Sequence, residues 1–443
     1  MRGGVAKGAD PYVSGHGDLS YEVLNHDLTL TYALPSNRLE GEAVLTCRAL
    51  EPIGEVALDL RLTPVRVSVD GRANKKFRTR LGKLVITLPR TLAAGEQVSI
   101  AVRYHGNPRP IRKAGHDPAG WEELTDGVIV ASQPHGAPSW YPCNDRPSAK
   151  GTYALSFTTA ADYHVEFSGE PLARVRRGAT RTWTFRQDQP IPSYLATVQI
   201  GRYEVTEQKN KAGVPLRVVA PTGLRGKAFD ESFGRQPQMM DLYVRLFGEY
   251  PFACYTSVIT DDALEIPLES AALSTFGRNF VSAQWDRVRL VAHELAHQWF
   301  GNAVTLARWQ DIWLHEGFAC YAEWLWSEES GGRSAEEWAR YHHGRLAAGH
   351  VQPSPLADPG ARHMFDDWVY KRGALTLHAL RRTVGDDAFF DLLRSWVADH
   401  RGGSVSTEDF LAHCERAAGQ QADEVVRLLA RWLRDRDLPD LPA

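Results

Sequence analysis

Val291-Ala292-His293-Glu294-Leu295-Ala296-His297-Gln298-Trp299-Phe300 carries His-Glu-x-x-His inside an uninterrupted helical pattern. On a helix, residues four apart stack one turn above each other on one face. Both imidazoles can therefore reach one ion, and Glu294 sits beside them, offset by about a third of a turn. Two histidine ligands with an adjacent carboxylate base suit a zinc hydrolase. The chain has 16 histidines, so a chance pair is the competing reading, and the residues downstream decide between the two.

A zinc site needs a third protein ligand and an open position for water. Eighteen residues separate His297 from Glu316 in Trp313-Leu314-His315-Glu316-Gly317-Phe318-Ala319. Leu314, Phe318, Ala319, Ala322, Leu325 and Trp326 fall at helical intervals, ahead of the polar stop Glu328-Glu329-Ser330-Gly331-Gly332. Glu316 would project from this helix toward the two histidines. Glu323, two turns on, is placed to accept a hydrogen bond from the non-ligating nitrogen of a zinc histidine, although a plain surface role competes. His315 points about 100° away from Glu316 and reads as a neighbour of the site. Cys320 reads as a small buried filler on the same helix.

The 443 residues are enough for two or three domains. A hydrophobic fraction of 43%, a charged fraction of 24% and a net charge of −3 describe an ordinary globular protein, with nothing pointing to nucleic acid or an anionic membrane surface. No apolar run reaches the length of a membrane span, and residues 1–10 show no leader-like apolar stretch. Cys47, Cys143, Cys254, Cys320 and Cys414 are odd in number and widely spaced, which predicts reduced thiols and a cytoplasmic setting.

Residues 1–207 read as a β-rich domain. Alternating stretches at 28–32, 65–69, 84–88 and 98–102 are followed by further strands near 128–130, 153–157, 182–185 and 196–200. Turn residues such as Asp70-Gly71 and Asn107-Pro108 separate them, which predicts a twisted antiparallel sheet or sandwich. The polar stretch from Glu207 to Gly213 reads as a turn at the junction. Residues 208–443 then read as a mainly helical domain with one β section at 255–276. The amphipathic stretch 425–434 reads as a helix closing the core of this second domain. The fold class expected is α+β multidomain.

The paired motifs, His293-Glu294-Leu295-Ala296-His297-Gln298-Trp299-Phe300-Gly301-Asn302 and Trp313-Leu314-His315-Glu316-Gly317-Phe318-Ala319, resemble those of the gluzincin aminopeptidases, the aminopeptidase N and leukotriene hydrolase relatives. The resemblance implies an antiparallel β saddle followed by a thermolysin-like catalytic domain. It also implies one Zn²⁺ per chain on His293, His297 and Glu316, with Glu294 as general base. Many members continue into a large helical C-terminal domain, so a short form is implied here.

Ile266-Pro267-Leu268-Glu269-Ser270 resembles the family's Gly-x-Met-Glu-Asn motif, with only the Glu kept. It implies that Glu269 binds the free α-amino group of a peptide; Glu265 is the rival assignment. Leu273-Ser274-Thr275-Phe276 resembles the family's edge strand, which could bind peptide by β-augmentation. Val369-Tyr370-Lys371-Arg372-Gly373 resembles the segment whose Tyr, here Tyr370, stabilises the oxyanion. Ser132-Gln133-Pro134-His135-Gly136 resembles a loop that reaches the site, implying that Gln133 lines the first subsite. His135, where relatives carry Glu or Gln, either touches substrate or holds the loop. The function expected is N-terminal peptide hydrolysis by a monomer acting on peptides. The competing readings are an epoxide hydrolase of the leukotriene type and a non-catalytic peptide-binding protein on a peptidase fold.

Overall fold

A computed structural model describes residues 10–349 and 353–442, so all but the last residue of the stretch read for a leader lies outside it. The first half is built on an eight-stranded sheet ordered Glu170–Arg177, Thr180–Pro192, Lys150–Ala160, Tyr21–Ala33, Arg38–Ala49, Gln97–Gly106, Thr63–Val69, Arg72–Asn74. Seven of the eight expected strand stretches lie inside observed strands. At the eighth, 196–200, the strand runs Val198–Gly201, after a tight turn at Ser193–Leu195. The sheet is antiparallel except where Tyr21–Ala33 lies parallel to Lys150–Ala160, with Leu28 opposite Leu155. Asp70 and Gly71 both take positive φ, 49° and 74°, and close a two-residue hairpin of the kind that matches strand twist. A three-stranded sheet (Ile53–Asp59, Lys83–Leu92, Phe77–Arg80) and a five-stranded sheet running from His164–Phe167 to Ile111–Lys113 complete this half.

The second half opens with another five-stranded sheet, ordered Glu204–Lys209, Pro215–Ala220, Tyr255–Thr260, Leu273–Gly277, Leu268–Ser270. Residue 207, where the sequence pattern changes, falls inside the first of these strands, which pairs with Pro215–Ala220. The first residues of the stretch expected as a turn, up to Lys209, close this exposed edge strand, and the turn itself follows at Lys211-Ala212, with the Gly213 amide on Asn210 O at 3.1 Å.

Nine helices follow among the described residues: α1 (Lys227–Glu231), α2 (Gln236–Phe247), α3 (Trp285–Ala296), α4 (Trp313–Glu329), α5 (Ala335–Ala347), α6 (Asp367–Val384), α7 (Asp386–His400), α8 (Thr407–Ala417) and α9 (Ala422–Arg434). Helix α4 is buried on every side from Trp313 to Ser327, the mark of a central helix. It packs between α3 and α6. Tyr243 on α2 donates to the Ala292 carbonyl of α3 and the Ala322 carbonyl of α4, both at 3.1 Å, and staples the two helices together. Helix α9 buries Val425, Leu429, Trp432 and Leu433. The Arg372 guanidinium of α6 donates to the Trp432, Asp435 and Arg436 carbonyls at its end. It closes the core, as its amphipathic pattern predicts. No helix among the described residues is long and apolar enough to cross a membrane.

Candidate metal centre and active site

Val288, Val291, Ala292, Leu295 and Ala296 bury α3. The helix stops at Ala296, short of the continuous pattern expected through Phe300, because the chain first tightens, the Gln298 and Trp299 amides bonding Leu295 O and Ala296 O three residues back, and then widens. The amides of Asn302, Ala303 and Val304 take the carbonyls of His297, Gln298 and Trp299, five residues back. Gly301 at φ 125° permits that swing. His297 caps the helix with φ −55° and ψ −23°, and its amide still bonds His293 O at 3.2 Å, so the two rings keep their one-turn spacing. The turn also leaves Phe300 O free to accept from His297 Nδ1 at 3.1 Å.

Glu316 stands in the first turn of α4, where the helix dipole favours a negative charge. Its Oε2 lies 3.3 Å from His293 Nε2 and 3.4 Å from His297 Nε2. Four ligands at the usual zinc bond lengths of about 2.0–2.1 Å sit about 3.3–3.4 Å apart at tetrahedral angles, so both Glu316 distances fit the metal. Both Nδ1 atoms are already committed, that of His293 to Glu323 Oε1 at 2.7 Å, so both Nε2 atoms face the shared point. Arg289 holds the other Glu323 oxygen at 3.0 Å. It sits one turn before His293 on the same stripe as the two ligands, a spacing that could have identified it from sequence.

Electrostatics point the same way. Burial opposes a charge on His297, yet the Glu269 and Glu316 carboxylates outweigh it and lift His297 to about 10. Burial would likewise raise Glu316, but the two imidazoles hold it well below the usual carboxylate range. The pocket therefore draws positive charge. Glu294 is pushed up to about 8, first by burial, with the histidines opposing and Glu269 and Glu316 adding to the rise. Its Oε2 is buried with no hydrogen-bond partner among the described residues.

Tyr370 on α6 stacks on His293 with ring centroids 5.9 Å apart. Burial, then the Glu316, Glu269 and Glu294 carboxylates, hold its phenol far above the ordinary range, so it keeps its proton. Helices α4 and α6 meet here at two glycines. A Cβ on Gly317 would lie 2.7 Å from Gly373 Cα. That contact brings Glu316 and Tyr370 together.

Glu269 lies on the strand Leu268–Ser270 and accepts from Gln133 Nε2 at 2.7 Å. Ligand atoms of Glu269, Glu294 and His297 fall within 4.8 Å of one another. Glu265, the rival, is exposed. Sheet order corrects one expectation: Leu273–Gly277 is paired on both sides, and the edge is Leu268–Ser270 itself. Ser270 O is clamped by Asn302 Nδ2 at 2.8 Å and Gln298 Nε2 at 3.2 Å.

His135 does not join Gln133 and Glu269. It is buried against His16 and His116, with ring centroids 5.8 and 5.6 Å away, and burial first of all pushes it down to about 3. His315 accepts the Leu306 amide at 2.9 Å, and Cys320 is buried under Lys371 Nζ at 3.2 Å.

Profiles for the Peptidase M1 N-terminal domain and the Peptidase family M1 domain match residues 22–195 and 232–432. The crystal structure of an M1 zinc metallopeptidase from Deinococcus radiodurans matches with a TM-score of 0.87 at 32% identity, covering 98% of this chain and 99% of that one. The chain belongs to peptidase family M1. Its β-rich half followed by a helical half is the M1 fold of that neighbour. A mutant M1 zinc metallopeptidase from the same organism, bound to a Tyr-Ser-Ala substrate, matches with a TM-score of 0.88 at 33% identity over the same shares. Among M1 relatives, Aminopeptidase M1 of Arabidopsis thaliana is 26% identical over 344 residues, which are 72% of this chain and 38% of that protein. This chain thus spans well under half the length of that relative.

Proposed function

We propose that this M1 chain is a zinc-dependent aminopeptidase that hydrolyses the first peptide bond of substrates with a free N-terminus. The observation that carries the reading is the Gln133–Glu269 pair set against the metal donors. An anionic acceptor at that position suits an ammonium one residue from the bond to be cut.

His293, His297 and Glu316 would hold one zinc ion, which supplies a Lewis acid and an acidified water. Glu294 takes a proton at Oε2 as the first carbonyl is attacked and delivers it to the leaving nitrogen. Tyr370 donates its phenolic hydrogen to the carbonyl oxygen as negative charge develops. Glu269 and Gln133 receive the α-ammonium, and the peptide extends along the open side of Leu268–Ser270. His135 is left out of the substrate set. The tripeptide substrate of the Deinococcus relative supports peptides as the substrate class. We place the protein in the cytoplasm as a monomer, consistent with five free, buried cysteines.

Purified protein should release fluorophore from aminoacyl amides, stop when chelated and recover with zinc. Glu294→Gln should lower kcat by about 10²-fold or more while zinc content holds. An active Glu294→Gln protein would remove the proposed base. Equal rates on N-acetylated and free peptides would remove the N-terminal specificity.

A further inference from the structure

The carboxylates around the metal centre are matched unequally. Glu323 accepts from Arg289 at 3.0 Å and from His293 at 2.7 Å, and Glu316 lies 3.3 and 3.4 Å from two imidazoles. Glu269 accepts from the neutral amide of Gln133 at 2.7 Å. Glu294 Oε2 is buried with no hydrogen-bond partner among the described residues. Glu269 and Glu294 are 5% and 3% exposed. No lysine or arginine among the described residues pairs with either of them. Buried carboxylates are normally matched by a cation, and for these two it has to come from outside the chain.

One oxygen of Glu269, one oxygen of Glu294 and a ring nitrogen of His297 fall within 4.8 Å of one another. Two ligands of one divalent ion, at bonds of about 2.0–2.6 Å, can stand up to about 5 Å apart. His297 also belongs to the triangle with His293 and Glu316. Its Nδ1 is committed to Phe300 O, so Nε2 alone is free for an ion. The triangle with two imidazoles is the better nitrogen set for zinc and takes that nitrogen. Zinc then brings two positive charges against the three carboxylates of the two triangles, Glu316, Glu269 and Glu294. We propose that Glu269 and Glu294 form a second cation site beside the zinc site, which takes a divalent metal ion through carboxylate oxygens, with water completing its shell. The site stands on the donor geometry. Its consequence rests on the aminopeptidase reading above: the ion and the α-ammonium of the peptide compete for Glu269, so free divalent cations restrain turnover.

Mn²⁺ is the probe, because it favours oxygen ligands and binds an imidazole site more weakly than zinc does. Titrated into the zinc-loaded protein and followed by electron paramagnetic resonance, it should fill a single site per chain without releasing zinc. Glu269→Gln and Glu294→Gln should each weaken that site by at least about 10-fold while zinc content holds. Glu265→Gln changes an exposed carboxylate four residues before Glu269 and should bind Mn²⁺ as wild type does. An aminoacyl amide should displace the Mn²⁺, and the matching des-amino amide should not. Mn²⁺ affinity within about twofold of wild type in either glutamine variant at 269 or 294 would overturn the second site, as would release of zinc in step with Mn²⁺ uptake. Normal amide turnover by the wild-type protein would then leave the aminopeptidase reading standing. Mn²⁺ binding that depends on both carboxylates, in a protein with no amide turnover, would keep the site and sink the parent reading instead.

Discussion

Gly317→Ala tests how the M1 site is assembled, because it adds one carbon at the crossing of α4 and α6. The new Cβ would stand 2.7 Å from Gly373 Cα and 2.9 Å from the Gly373 carbonyl carbon. Ordinary carbon contacts lie at about 3.5–4.0 Å, so the helices must part locally by about 1 Å. Overpacking of that kind costs about 1–3 kcal/mol, and the gain in helix propensity returns about 1 kcal/mol. Stability should therefore fall by only about 0–2 kcal/mol. Function should suffer more. Glu316 precedes Gly317, and Tyr370 lies one turn before Gly373, so the same 1 Å shift moves a metal ligand against its partners. Zinc ligands tolerate about 0.2 Å, and a misplacement of about 1 Å can cost about 10²-fold in rate. Urea unfolding, zinc content and kcat/KM on an aminoacyl amide measure the three effects. Gly344→Ala is the control: it lies on α5 with open space around its missing Cβ, and should stabilise by up to about 1 kcal/mol without touching activity. A Gly317→Ala protein with one tightly held zinc and kcat/KM within about threefold of wild type would refute the close-crossing argument.

Glu323→Gln should lower zinc affinity about 10–100-fold by loosening His293; competition with a chelator reads it, and unchanged affinity would dismiss the orienting role. Stripping zinc should lower the unfolding temperature, because a ligand at about 1,000 times its Kd adds about 4 kcal/mol to the folded state; a calorimetric scan with and without chelator decides. Burial pushes His26, stacked on Tyr153, down to about 3 from an ordinary 6.5. Between those values the unfolded chain holds the extra proton, so stability is full above pH 6.5 and falls as pH drops toward 3, by up to about 1.4 kcal/mol per pH unit. His26→Phe should flatten that acid limb by the same slope in urea titrations between pH 6.5 and 4.5, and an unchanged slope would assign the acid sensitivity to other groups.

What was legible in the sequence is what local spacing encodes. His293, His297 and Glu316 converge because a helix turn and one intervening loop fix them, Glu323 follows from the same helical period, and Tyr370 was marked only by the family resemblance of its segment. What was not legible depends on partners distant in the chain. The edge of the second sheet belongs to Leu268–Ser270, an order set by the parallel pairing of Tyr255–Thr260 with Leu273–Gly277. His135 packs in a buried cluster with His16 and His116, one ring tilted and the other edge-on, a contact no motif announces. The polar stretch at 207–213 divides between the end of an exposed edge strand and the turn after it, two structures with the same polar composition.

These long-range contacts also explain why the first half of the chain belongs to the site. The proposed amine end is made of Gln133 from one half and Glu269 from the other, joined at 2.7 Å. Thr125 on the first half bonds Asp262 on the second through its amide and hydroxyl, at 2.9 and 2.6 Å. The Asp10 carboxylate takes the Trp309 amide at 2.9 Å, just ahead of α4. Lys150 Nζ reaches across to Ala303 O and Gly403 O, steadying the turn that follows His297. The proposed metal donors all come from α3, the residue that caps it, and α4, so on this reading metal binding belongs to the second half. Under the proposed function, register on a free N-terminus would belong to the junction. A change that loosens the junction should therefore raise KM for free peptides before it reduces zinc content, whereas a change at Gly317 should affect both together.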